Sequence, residues 1–186
     1  MSATATISTT ATTAAPIRVW AGSVTKYATA LIGEWVSLPC DDLAARLHDI
    51  DPGTEEWAIF DSECPALPSL HIGEHDSMQR LNEVAAVLAD LYEDDLQRVD
   101  ALIEWGAGLD DALEHYDDVC ALPDYVDGID DYQGIGEYYA DLLDVFAGVP
   151  EDSPAREYFD YSAYGRDVVL EGSFVETSAG VFEISY

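Results

Sequence analysis

Apolar positions fall into two rhythms along this chain. Ile17 to Ala21 (IRVWA) and Leu31 to Pro39 (LIGEWVSLP) read as two strands of an antiparallel pair, joined by a turn around Tyr27 to Ala30. Glu55 to Glu63 (EEWAIFDSE) alternates as a third strand, and between them CDDLAARLHDI predicts a short helix capped near Cys40 or Asp41. Pro65 and Pro68 break the chain. Asp76 or Ser77 then caps a helix from about Met78 to Tyr92, with Leu81, Val84, Ala85, Leu88 and Leu91 as its inner face. A second helix spans roughly Asp94 to Trp105, and a third Leu109 to Cys120, where Leu109, Ala112, Leu113, Tyr116 and Val119 recur three or four apart. Pro123 ends this helical stretch. Gly136 to Phe146 reads as a helix with Glu137, Asp141 and Asp144 on one face, and Gly148 to Pro154 as a loop. Asp167 to Ser185 reads as two or three short strands turning at Gly172 and at Ser178 to Gly180.

The order is β-rich, then helical, then α+β, with short segments and several breakers, which favours small domains in a row. The expected division is a Ser/Thr/Ala tail at 1–16, disordered for lack of period and charge, then an N-terminal α+β domain at 17–76. A helical middle domain at 77–122 and a C-terminal α+β domain at 123–186 follow. With 186 residues, 48% of them apolar and 11% aromatic, the chain can bury a core and is not a disordered acidic tail.

Charge changes the picture. There are 38 acidic and 7 basic side chains, a formal charge of −31, and the only lysine is Lys26. Against the single base Arg98, the segment from 90 to 144 carries Asp90, Glu93, Asp94, Asp95, Asp100, Glu104, Asp110, Asp111, Glu114, Asp117, Asp118, Asp124, Asp127, Asp130, Asp131, Glu137, Asp141 and Asp144. In LDDALEHYDDV, Leu109 to Val119, one helix face can pack while the other is all carboxylate. Like charges three and four apart each cost a few tenths of a kcal/mol, which interleaved lysines would have relieved. For one helix the plain reading is a solvated face. Across the whole segment the imbalance is regional. It excludes nucleic acid and anionic membrane as direct ligands and points to a cationic partner.

No catalytic, metal or cofactor site emerges. His71, Gly73, Glu74 and His75 fit the HxxEH spacing of a zinc-binding helix, but Gly73 at its centre and Pro68 upstream argue against the helix, leaving ordinary loop or packing histidines. DYVDGIDD, Asp124 to Asp131, lacks the register of a calcium loop. With so many acids, carboxylate pairs arise at any spacing by chance, so none selects an acid–base role. Cys40, Cys64 and Cys120 are widely spaced and suit reduced, buried thiols. The absence of a membrane-length apolar run and of a signal-peptide pattern leads to a cytoplasmic expectation.

Four runs carry a resemblance: VWAGSVTKYATALIGEWVSLP near the N-terminus, WAIFDSECP, HIGEHDSMQRLN, and above all YFDYSAYGRDVVLEGSFVETSAGVFEI at Tyr158 to Ile184. On these the chain resembles the ArdA antirestriction proteins over Ile17 to Tyr186. The resemblance implies a non-enzymatic mimic of double-stranded DNA, usually carried by conjugative plasmids, transposons or phage. Such proteins inhibit type I restriction–modification enzymes by occupying the DNA-binding groove of the methyltransferase core. It also implies an elongated, curved α+β chain of three small domains, forming a homodimer through the C-terminal one. The tail before Ile17 and the acid-rich sequence around Asp110 to Asp131 depart from the family pattern.

The charge agrees in scale. Two chains carry −62, twice −31, which matches the phosphates of roughly 31 base pairs, about 105 Å of duplex. Two acids per helical turn place a charge every ~2.7 Å of axis, on the order of duplex density. Two other classes compete. A halophile's enzyme would spread its acids evenly around a recognisable site, whereas 18 of these 38 fall in one 55-residue stretch. An acidic binding protein or chaperone for another basic DNA-binding partner would share the charge without the Tyr158 to Ile184 signature.

Overall fold

The computed structural model describes residues 15–26 and 30–185. The tail expected at Met1 to Pro16 therefore lies outside the described residues except for its last two, as does most of the turn expected around Tyr27 to Ala30. The described residues form seven α-helices and two three-stranded antiparallel sheets, an α+β architecture. The chain divides into two compact units, residues 1–96 and 97–186.

In the first unit β1 (Ile17–Ser23) lies between β2 (Gly33–Leu38) and β3 (Trp57–Glu63), giving the order β2-β1-β3. Val19 faces Val36, Arg18 faces Glu63, and the register against β3 shifts between Trp20 and Ala21. Alternation sends Ile17, Val19 and Ala21 fully inward. Helix α1 (Leu43–Ile50) starts a little later than its sequence suggests, because Asp42 is the cap and its carboxylate accepts from the Ala45 N–H at 2.9 Å. Helix α2 (Met78–Asp90) is capped by Ser77, whose hydroxyl accepts from the Arg80 N–H. Met78, Leu81, Val84, Ala85 and Leu88 form its buried stripe, while Leu91 caps the C-terminus and is half-buried. The Asn82 amide accepts from the Cys40 N–H at 2.7 Å and donates to the Cys40 carbonyl at 3.1 Å, tying α2 to the end of β2.

Helix α3 (Glu93–Trp105) contains the division between the units. Three expectations beyond it are corrected. Helix α4 stops at His115 (Leu109–His115), a 3-10 turn covers Tyr116–Asp118, and β4 (Val119–Ala121) follows. Helix propensity lost there to sheet pairing: Val119 faces Ile184, and the Leu122 N–H donates to the Val181 carbonyl. Helix α5 (Tyr132–Leu142) begins four residues early, since Asp131 accepts from the Gly134 N–H at 3.0 Å and so caps it, and it ends before Asp144. Asp167 to Glu171 is helix, not strand. It belongs to α7 (Tyr161–Glu171), capped by Asp160, whose carboxylate accepts from the Ala163 N–H; the β-branched pair Val168 and Val169 mimicked a strand. The short α6 (Pro154–Glu157) begins at Pro154, the last residue of the expected loop.

Strands β5 (Phe174–Thr177) and β6 (Gly180–Ile184) make the hairpin expected around Ser178 to Gly180, and the sheet order is β4-β6-β5. Its core is Leu122, Val126, Ile135, Tyr139 and Val181, with Tyr164, Val168 and Phe174 packed against it. Helices α5 and α7 cross in backbone contact. A Cβ on Gly165 would lie 2.0 Å from the Tyr132 carbonyl oxygen, and one on Gly136 2.0 Å from that of Tyr161.

Candidate functional site

Of the eighteen acids in the 90–144 segment, fifteen are exposed. Asp90 ends α2, and Glu93 and Asp94 open α3, where the helix dipole favours them. Glu104 lies in the last turn of α3. On α4, Asp110, Asp111 and Glu114 stand outward over the buried Ala112. Asp117 and Asp118 belong to the 3-10 turn, so the five do not share one continuous α-helical face. Asp124, Asp127 and Asp130 are exposed in the loop after β4, and Glu137 and Asp141 lie one turn apart on α5. Asp144 is beyond that helix, in the left-handed region at φ 47°, so the expected three-acid helix face reduces to two.

Three acids are placed differently. Asp100 is only 5% exposed, which withdraws its charge from solvent. Asp95 is half-buried in the first turn of α3. Asp131, also half-buried, serves the backbone: besides capping α5 it accepts from the Asp127 N–H at 3.3 Å. Glu176, on β5, accepts from the Ile129 N–H at 3.1 Å, so the Asp124 to Asp131 loop is held by the carboxylates of Asp131 and Glu176. Nothing in the sequence spacing pointed to Glu176, which is 47 residues away.

Five of the seven lysine and arginine side chains pair with acids elsewhere. Arg18 pairs with Glu63 at 2.6 Å, Lys26 with Asp51 at 2.6 Å, Arg46 with Glu34 at 2.7 Å, Arg80 with Glu83 at 3.6 Å and Arg166 with Asp167 at 2.9 Å. None of those five acids belongs to the 90–144 set. Arg156 donates to backbone carbonyls. Asp51 shows what a paired acid looks like here. The Lys26 ammonium, then the Thr54 hydroxyl and the Gly53 N–H, hold its carboxyl down at about 2, against burial that opposes them. Tyr139 is the reverse case: burial, and a hydroxyl that donates to Glu183 at 2.6 Å, push its phenol well up.

The other chemical candidates gain no geometry. The His71 to Ser77 stretch is not helical, so the two histidines lack the one-sided display that HxxEH requires. Among the described residues no three His, Cys, Asp or Glu side chains are grouped to hold a metal ion. The cysteines are free, as the spacing implied, but they are not buried: Cys40 and Cys64 are intermediate and Cys120 is exposed.

What the fold therefore displays in its acid-rich segment is largely exposed carboxylate, with five of the seven lysine and arginine side chains paired to acids outside it. The sequence pattern of the family described as antirestriction protein (ArdA) matches residues 19–183. The chain belongs to the ArdA family. ArdA is an antirestriction family, not a known enzyme family, and membership makes a restriction enzyme the kind of partner to expect. No curated protein matches the chain. In this ArdA chain no helix among the described residues is long and apolar enough to cross a membrane.

Proposed function

We propose that this ArdA protein is a decoy for duplex DNA that occupies the DNA-binding groove of a type I restriction–modification enzyme, at its methyltransferase core. One observation carries the reading. Fifteen carboxylates of the 90–144 segment face solvent, while five of the chain's seven bases pair with acids outside that segment. Lysines and arginines of a DNA-binding groove release counterions to such a surface much as they do to phosphates. The charge count supports a homodimer, since one chain covers only about half of a two-fold site of ~30 base pairs. On the family resemblance we also read the chain as an elongated, curved series of three small domains acting in the cytoplasm.

The test titrates purified protein against a labelled duplex bound to a type I methyltransferase, with the protein's mass in solution measured at the same concentrations. Release of enzyme from DNA near one dimer per site supports the decoy. Enzyme that stays on DNA at large excess overturns it, and release of unrelated basic DNA-binding proteins at equal potency favours a general acidic binder. Inhibition by a species that sediments only as monomer overturns the dimer.

A further inference from the structure

We infer that Arg156 is a positioning residue for the decoy surface, latching the loop from Leu143 to Ser153 and with it the carboxylates of Asp144, Glu151 and Asp152. The inference rests on the decoy reading and goes beyond it, because it assigns a cation a favourable part in an anionic device.

Arg156 sits on α6, just past the loop. Its Nε donates to the Val149 carbonyl at 3.2 Å, and its Nη2 donates to Val149 at 3.0 Å and to Phe146 at 3.2 Å. The guanidinium also lies 4.8 Å from the centre of the Phe146 ring. That ring is held in turn by Phe159 at 5.0 Å and Tyr161 at 6.4 Å, both edge-on. One planar fork thus fixes two carbonyls and a ring of a segment that passes through left-handed backbone at Asp144 and at Gly148. Asp144, Glu151 and Asp152 are all exposed on that segment.

The choice of partners is the informative part. Glu137 and Asp141 line the same cleft of about 370 Å³ as Arg156, Phe146 and Tyr161. An arginine recruited for charge balance would pair with those carboxylates. This one turns its donors to neutral carbonyls, ordering the loop while the two acids of α5 keep their charge.

Charge counting and the latch make opposite predictions. Arg156→Gln takes the formal charge from −31 to −32, so a decoy governed by net charge should inhibit as well or better. The latch predicts weaker inhibition by roughly fivefold or more, since three exposed acids lose their placement. Arg156→Lys keeps the charge but not the fork, and should weaken inhibition in the same direction. Amide exchange separates positioning from general destabilisation. In both variants the N–H groups of Ala147, Val149 and Ser153, bonded to Asp144, Phe146 and Pro150 carbonyls, should exchange faster, while those of β5 and β6 do not. Variants as potent as wild type, unchanged exchange in the loop, or equal acceleration throughout residues 97–186 would each overturn the latch. If wild-type protein leaves the methyltransferase on DNA, the decoy reading fails instead, and the exchange pattern still decides whether Arg156 holds the loop.

Discussion

Residues 1–96 hold sixteen acids and four bases, net −12, and residues 97–186 hold twenty-two acids and three bases, net −19. The larger difference is in what the carboxylates touch. In the first unit each base meets an acid: Arg18 bridges strands to Glu63, Arg46 reaches Glu34, Arg80 reaches Glu83, and Lys26 holds Asp51. In the second unit, beside the Arg166–Asp167 pair and the contact of His115 with Asp118 at 3.4 Å, several acids are held by neutral donors. Asp131, Asp160 and Glu176 accept from backbone N–H groups and Glu183 from a tyrosine hydroxyl. A carboxylate bonded to an N–H keeps its full charge, whereas one paired with arginine is neutralised. At those acids the second unit orders itself without erasing the field that a basic groove would read.

If neutral packing carries the second unit, its weak point is the helix crossing and not any ion pair. Gly165→Ala places a methyl carbon 2.0 Å from a carbonyl oxygen, with no side chain available to move aside. The expected cost is about 3 kcal/mol, read by denaturant unfolding with a probe in residues 97–186. A variant that unfolds at the wild-type denaturant concentration would show that α5 and α7 do not meet there.

The crossing also marks where sequence reading ends. Helix α2 was legible because Ser77 caps a clean apolar period, and β1 to β3 because alternation and breakers coincide. Helix α7 was not. Its sequence YSAYGRDVVLE has a central glycine and two β-branched residues, and helix is imposed by the contact of Gly165 with the Tyr132 carbonyl, 33 residues away in sequence. Strand β4 was hidden for the same reason, because Val119 fits a helical period and only its partner Ile184 makes it strand. At the candidate site, the excess of acid was plain from composition. Which acids are withdrawn was not: Asp100 is buried and Asp131 is a cap, and both look like any other aspartate in the run.

A smaller effect should separate the units by charge. Replacing Asp110, Asp111, Glu114, Asp117 and Asp118 singly by Asn or Gln should each cost under about 1 kcal/mol of inhibition, because exposed charge pairs are individually weak. All five together should cost several times that, while thermal stability rises slightly as like-charge repulsion is relieved. Titration of the single and quintuple variants at two salt concentrations reads both. One acid whose loss alone abolishes inhibition would point to an anchored contact, and a quintuple variant of undiminished potency would move the decoy surface off α4 and its 3-10 turn.

The smallest effect is one of pH, and it belongs to the first unit. In residues 1–96, the folded Asp51 carboxyl is depressed to about 2, below the ordinary aspartate value of 3.8. A depressed carboxyl binds its proton less readily folded than unfolded, so its contribution is complete above about 4 and disappears as pH falls from there through about 2. Asp51→Asn removes the ionised partner of Lys26 while retaining an acceptor for the Thr54 hydroxyl. Its stability deficit against wild type should be constant from pH 7 to about 4 and shrink steadily below that, in unfolding curves followed by tryptophan fluorescence from Trp20 and Trp35 in the sheet. A deficit that stays the same down to pH 2 would mean that Asp51 contributes through packing and hydrogen bonding, and that the first unit does not depend on the charge of its half-buried pair with Lys26.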